Sequence, residues 1–305
     1  MNRLESMSVL LTVVEAGSLS AAGRKLGMPL ATVSRKLSDL ETHLKARLLK
    51  RSTRQLSLTD AGRDYVAACR RILEDLSEAE RAASGEYRAA RGELVVTAPI
   101  VFGRLHVLPV TAGFLEAHPE VDVRLVLGDR IVNLLEDHVD LAVRIGELPD
   151  SRLAATRVGA IGRVVCASPA YLAARGTPGS PADLSAHPCI SFDTLLSPAS
   201  WTFRAGGADL PVTIHSRLTV NTAEAAVDAA IAGVGVTRVL SYQIEDAVRA
   251  GSLEVVLREF EPAPVPVSLV FPGERRLPQK LRAFLDYAAP RLRERMQGLK
   301  VPAAS

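Results

Sequence analysis

Apolar positions in the first sixty residues fall at helical spacing three times over. Leu4, Met7, Leu10, Leu11 and Val14 share one face, and Ser18 to Leu26 makes a second short segment whose Ala21 and Ala22 allow close helix approach. Leu30, Val33, Leu37, Leu40 and Leu44 form a third stripe. Only Gly27, Met28 and Pro29 separate the second and third segments, a turn length that sets two helices at a steep angle. The third helix is then exposed on its far side, which carries Thr32, Ser34, Arg35 and Lys36. Beyond it, Lys50-Arg51-Ser52-Thr53-Arg54 is basic and rich in hydroxyls, and the alternation at Leu56 and Leu58 predicts a small hairpin.

Thr59 is placed to cap a fourth helix. Along it Tyr65, Cys69, Ile72, Leu76, Ala79 and Ala83 recur at spacings of four and three, a heptad seam, while Arg70, Arg71, Glu74, Asp75, Glu78 and Arg81 charge the other faces. Packing on its own domain would explain such a stripe; a partner helix explains it better. The pattern fades at Ser84-Gly85, and Arg91-Gly92 closes the segment.

From Glu93 the periods alternate between strand and helix. Leu94 to Val96, Val121 to Leu127, Leu141 to Val143, Arg163 to Ala167, Leu218 to Val220, Val234 to Thr237 and Val265 to Phe271 read as buried, mostly parallel strands. Between them fall helices over Gly103 to Ala117, from about Arg130, over Thr222 to Ala232 and from Pro278. Domains are expected at 1–58 and 92–305, joined by a linker over 59–91. Within the last, lobe I covers about 92–162 and 264–300 and lobe II about 163–263.

Charge sharpens the first segment. Residues 1–58 hold ten Lys and Arg against four Asp and Glu, a net +6, so the remainder of this +3 chain carries −3. Positive charge therefore collects on the predicted helix and its neighbouring loop, where a duplex would bring its phosphates. A helix fitted to the major groove beside a basic loop meets the geometry that double-stranded DNA demands.

Length and composition narrow the alternatives. At 305 residues, 48% hydrophobic, the chain is expected to build two or more cored domains. Cys69, Cys166 and Cys189 are too scattered for a disulfide framework or a zinc site, no apolar run reaches about 18 residues, and no cleavage site follows an apolar start. These features predict a cytoplasmic protein without a membrane segment. An enzyme is not expected: G-x-S-x-G, Walker and H-E-x-x-H motifs are missing, and Gly233-Val234-Gly235 lacks the third glycine of a dinucleotide loop. Neither a metal nor a cofactor is called for. A thiol- or electrophile-responsive regulator through Cys166 or Cys189 is the alternative within the same architecture.

The spaced set Gly17-Ser18-Leu19-Ser20-Ala21-Ala22, Leu26-Gly27, Val33-Ser34-Arg35, Leu40-Glu41, Leu44, Arg51, Leu58-Thr59 and Ala61-Gly62 resembles the LysR-type transcriptional regulators. Pro29, Ala31, Lys45 and Leu49 stand where that family commonly has Ser, Pro, Gly and Phe. Further on, Phe102-Gly103-Arg104, Phe114, Pro119, Asp140 to Gly146 and Leu148-Pro149-Asp150-Ser151 are similar to one subgroup of the same family, so the resemblance covers nearly the whole chain. It implies an α/β protein with an α-rich N-terminal winged helix-turn-helix, a linker helix that dimerises, and a two-lobed effector domain of the type 2 periplasmic-binding-protein-like fold. It further implies a homodimer or homotetramer on promoter DNA, with RNA polymerase as a candidate partner.

For that reading the DNA contacts fall on Thr32, Ser34, Arg35, Lys36, Arg51, Ser52, Thr53 and Arg54. The effector, a small organic molecule and in this reading an anion or aromatic acid, is placed between the lobes. There the strand ending at Thr97 leads through Ile100 and Phe102 into a helix near Gly103, and Asn221-Thr222-Ala223-Glu224 reads as a cap with Glu at the third helical position. Both junctions offer free helix N-terminal amides to an anion. Arg144 lies at a third strand end, and Trp201 adds apolar surface.

Overall fold

The computed structural model describes residues 2–51, 56–83, 90–130, 132–134, 136–148, 153–192, 200–273 and 277–298. The chain forms two compact units, Met1–Ala89 and Ala90–Ser305.

The first unit runs α1 (Arg3–Ala16), α2 (Leu19–Leu26), α3 (Leu30–Leu44), β1 (Leu49–Arg51), β2 (Leu56–Leu58) and α4 (Asp60–Ala83). Ser18 caps α2 by accepting the Ala21 amide at 3.2 Å, and Gly27, in the left-handed region, ends it. Gly23 is required by close approach: a Cβ there would stand 2.8 Å from the Met28 carbonyl oxygen in the turn to α3. Val9, Leu10, Val13, Ala22, Val33, Leu37, Leu40, Leu48 and Leu49 close one core beneath the three helices and the hairpin, whose strands pair antiparallel from Leu49↔Leu58 to Arg51↔Leu56.

The second unit begins with β3 (Gly92–Ala98) and α5 (Ile100–Phe102), which continues through a π-type turn at Gly103–Val107 into α6 (Leu108–Ala117). The stretch Ile100–Ala117 is thus 18 residues long and apolar enough to pass for a membrane span, which the sequence reading missed because Arg104 and His106 break the run. Here Val101, Phe102, Val107, Val110 and Phe114 fill the core instead. Next come β4 (Val121–Leu127), β5 (Leu141–Ile145), β6 (Leu153–Ile161), β7 (Arg163–Ala167), α7 (Pro169–Arg175), β8 (Pro188–Phe192), the hairpin β9 (Ser200–Ala205) and β10 (Ala208–Thr213), and β11 (His215–Val220). The chain closes with α8 (Ala223–Ile231), β12 (Val236–Leu240), α9 (Glu245–Arg249), β13 (Glu254–Val256), β14 (Val265–Pro272) and α10 (Gln279–Gln297).

Two five-stranded sheets result, ordered β4-β3-β5-β14-β6 and β11-β8-β12-β7-β13. Each has two parallel pairings followed by two antiparallel ones, so the sheets are mixed rather than mostly parallel. The late strand β14 returns to the first sheet and lies between β5 and β6. No helix starts at Arg130 among the described residues. A turn closed by the Asp137 amide on the Asn133 carbonyl and the Val139 amide on the Leu134 carbonyl stands there, and His138, at φ 55°, reverses the chain before β5.

Candidate DNA-reading helix and inter-lobe seam

On α3 the core-facing positions Val33, Leu37 and Leu40 leave Ala31, Arg35, Ser38, Asp39 and Thr42 on the outer face. Arg35 is exposed, and Thr32 and Ser34 are half-buried at its flanks. Lys36 sits one step round toward the core and forms an ion pair with Glu5 of α1, Nζ to Oε2 at 2.7 Å. At the helix start, Pro29 provides no side-chain cap, so the first-turn amides lack the oxygen that a Ser would supply.

The hairpin is moored to this helix by Glu41, whose Oε1 accepts the Leu48 and Leu49 amides at 2.8 and 3.1 Å. Thr59 ties the other side: its hydroxyl donates to the Arg47 carbonyl at 2.6 Å and accepts the Gly62 amide at 2.9 Å, capping α4. A Cβ at Gly62 would stand 2.0 Å from the Leu48 carbonyl oxygen, so glycine is needed for α4 to begin against the hairpin. Arg51 ends β1 opposite Leu56, while Ser52, Thr53 and Arg54 lie outside the described residues.

The stripe along α4 divides. Cys69 is fully buried in the head's own core, with Val66 beside it and Tyr65 partly buried against the same cluster. These two stripe positions, Tyr65 and Cys69, pack within their own unit because α4 lies against α1. Ile72 is 43% exposed and Leu76 half-buried. The side chains of Ala79 and Ala83 lie outside the described set.

In the second unit Ala223 and Tyr242 belong to the same buried cluster as Phe102, so the first turn of α8 and the segment after β12 meet α5 across the seam between the sheets. Phe102 is wholly buried, edge-on to Tyr242 at 5.5 Å and 4.8 Å from the His106 ring. Gly103 is buried as well. The buried Thr97 hydroxyl donates to the Val126 carbonyl at 3.0 Å. The Ile100 amide is already taken, donating to Asp129 Oδ1 at 3.1 Å. Burial pushes the Asp129 carboxyl up; the Ile100 amide opposes this and the Glu224 charge adds to it.

At the second helix the cap is Thr222, accepting the Ala225 amide at 3.3 Å, with Asn221 exposed before it. Glu224 is therefore the second helical residue and not the third, so the expected reciprocal cap does not form; its Oε2 is buried without a hydrogen-bond partner among the described residues. Arg144 is half-buried, its guanidinium donating to the Val132 carbonyl, and burial lowers its pKa. Trp201 lies elsewhere, buried in the second sheet's cluster with Phe203 and Tyr171 and with the Arg238 guanidinium 5.4 Å from its ring. Thr97, Ile100, Phe102 and Gly103 thus share one seam with Asn221 and Thr222, whereas Trp201 packs in a separate core. Asp129 and Glu5 escaped the sequence reading because each acts across 29 or more residues of chain and leaves no local spacing.

All three thiols are free and buried. Burial pushes Cys69 up to about 11 and Cys166 and Cys189 up to about 12, far from the thiolate that oxidants attack.

Residues 4–63 match the family described as bacterial regulatory helix-turn-helix protein, lysR family, and residues 88–293 match the LysR substrate binding domain. The chain is 33% identical over 290 residues to the probable HTH-type transcriptional regulator LtrA of Klebsiella pneumoniae, covering 94% of each. It is 35% identical over 289 residues to a transcriptional repressor of Pseudomonas aeruginosa, covering 94% of this chain and 91% of that one. The LysR-type regulator CrgA of Neisseria meningitidis superposes with a TM-score of 0.61 at 32% identity, over 94% of this chain and 98% of the other. Winged head, linker helix and two-lobed α/β unit, each traced above to its residues, agree with these matches: the chain belongs to the LysR family of transcriptional regulators.

Proposed function

We propose that this regulator reads a two-fold promoter site with Ser34 and Arg35 of α3, while Arg51, Ser52, Thr53 and Arg54 of the wing hold phosphate or minor groove. The observation that carries this reading is the outward position of Arg35 on a helix whose opposite face is core. An arginine so placed can pair bidentately with guanine in the major groove. Arg35→Ala should abolish the preference for a selected operator over random duplex, whereas Arg54→Ala should weaken both alike, measured by anisotropy at fixed salt. Equal losses on both duplexes for Arg35→Ala would exclude base reading. With about 6–10 phosphate contacts per dimer, affinity should fall roughly 10³–10⁵-fold between 50 and 200 mM salt.

Its regulation is assigned to a small organic effector at the inter-lobe seam near Thr97, Phe102 and Thr222. The amide that an incoming anion would need at Ile100 is occupied by Asp129, and Glu224 adds a second carboxylate nearby. A carboxylate effector must displace Asp129; an uncharged or amine-bearing one need not. Thermal-shift screening with carboxylates, amines and neutral metabolites tests the placement, and a hit bound unchanged by Thr97→Val and Thr222→Val would move the site elsewhere. Dimers or tetramers built through α4, in the cytoplasm, complete the reading.

A further inference from the structure

Of the two cations on the front half of α3, Lys36 and not Arg35 has a carboxylate partner among the described residues. Lys36 Nζ lies 2.7 Å from Glu5 Oε2, with 21% of the lysine side chain exposed. The helix dictates this: Lys36 is three residues from Val33, adjacent to Leu37 and four from Leu40, all buried, so its stem runs along the α1–α3 seam. Arg35, one step away, shares the outer face with Ala31, Ser38, Asp39 and Thr42. Glu5 is itself held in place, since its amide donates to the capping Asn2 Oδ1 at 3.4 Å and its carboxylate sits in the first turn of α1, where the helix dipole favours it.

We propose that Glu5 is a specificity-determining residue: it keeps Lys36 off the DNA phosphates, so that α3 meets the duplex through Arg35 rather than through Lys36. The proposal rests on the reading of α3 as the DNA-contacting helix. Each lysine released to a phosphate adds sequence-independent affinity and steepens the salt dependence, while adding nothing to the choice of bases. By holding one such lysine, Glu5 lowers the non-specific background against which the operator competes. Specificity is the ratio of the two affinities, so a residue that never touches DNA raises it.

The test uses the full-length protein in anisotropy titrations on a random-sequence duplex and on a duplex that the wild type selects from a randomised pool. Glu5→Gln, which keeps the side chain's shape, should bind random duplex several-fold more tightly at low salt. Its slope of log K against log salt should steepen by about 0.9 for each head bound. Preference for the selected duplex should fall. Lys36→Gln alone should leave the slope unchanged, and the double variant Glu5→Gln/Lys36→Gln should return to the wild-type slope.

Three results would overturn the proposal: an unchanged slope in Glu5→Gln, a gain that persists in the double variant and so reflects only the lost negative charge, or a flatter slope in Lys36→Gln, which would mean that Lys36 already contacts phosphate. Arg35→Ala, run alongside, reports on the α3 reading separately. Retained sequence preference in that variant would sink the α3 reading whatever Glu5→Gln does.

Discussion

Lys45 holds φ at 52° at the end of α3, with its amide and that of Ala46 closing on the Thr42 and Glu41 carbonyls. A side chain in the left-handed region costs roughly 1–2 kcal/mol, and glycine's greater unfolded freedom offsets about 0.5–1 kcal/mol of any relief. Lys45→Gly should therefore stabilise the head by about 0.5–1 kcal/mol in urea denaturation; a lower midpoint would show that the lysine charge at the helix end outweighs the strain. His106 is a second residue set against its surroundings. It is 7% exposed, both ring nitrogens lack hydrogen-bond partners among the described residues, and burial first and Arg295 second push its pKa down from 6.5 to about 4. A folded-state value below the unfolded one means that the unfolded chain takes the proton first. The stability His106 permits is then complete above pH 6.5 and is lost as pH falls toward 4. His106→Phe should flatten the stability profile in that window, read by denaturant midpoints across the range. An unchanged slope would assign the acid sensitivity to other groups. Neither residue is conspicuous in the sequence, because strain at Lys45 and isolation at His106 are properties of what the folded chain puts around them.

Elements were legible where their period was long and their burial one-sided. α3 and β4 follow directly from spacing, since one face of each is core and the other solvent, and β7 reads as an apolar run buried on both faces. In α1, by contrast, the core takes Val9, Leu10 and Val13, leaving Leu4 exposed and Met7, Leu11 and Val14 partly buried. The hairpin β9–β10 was missed although its turn has a local signature: Gly206 and Gly207, at φ 57° and 84°, sit between paired Ala205 and Ala208. Its strand β10 is nearly all exposed, so no apolar alternation announced it. α4 shows the opposite difficulty. A single seven-residue period runs through Tyr65, Cys69, Ile72 and Leu76, yet α1 covers its first part, and among the described positions Ile72 is exposed and Leu76 half-buried. Period identifies an apolar face but not which neighbour covers it. Ile72→Lys with Leu76→Lys should consequently yield smaller species in sedimentation with a head that still melts cooperatively, because neither side chain belongs to its buried core. Unchanged oligomers would place the interface on the second unit. Loss of the cooperative melt would show that the monomer needs these side chains.

Across the whole molecule the charge asymmetry visible in the sequence falls inside the first unit, where the net +6 of residues 1–58 is followed by a net-acidic stretch over 59–89. What the sequence could not disclose was the internal seam of the second unit, where Asp129 occupies an amide that composition alone had left for a ligand. The order of strands in the first sheet carries a further consequence. β14 lies between β5 and β6, but it is made only after the whole second sheet has been synthesised. At about 5–20 residues per second, the roughly 100 residues between β6 and β14 keep two apolar strand edges waiting on the order of 5–20 s as the chain leaves the ribosome. During that interval the finished second lobe is an island inside an unfinished one, and the open edges of β5 and β6 are templates for any extended peptide nearby. The yield of active regulator in a cell is then governed by elongation speed and by whatever shields those edges, as much as by the stability of the completed fold.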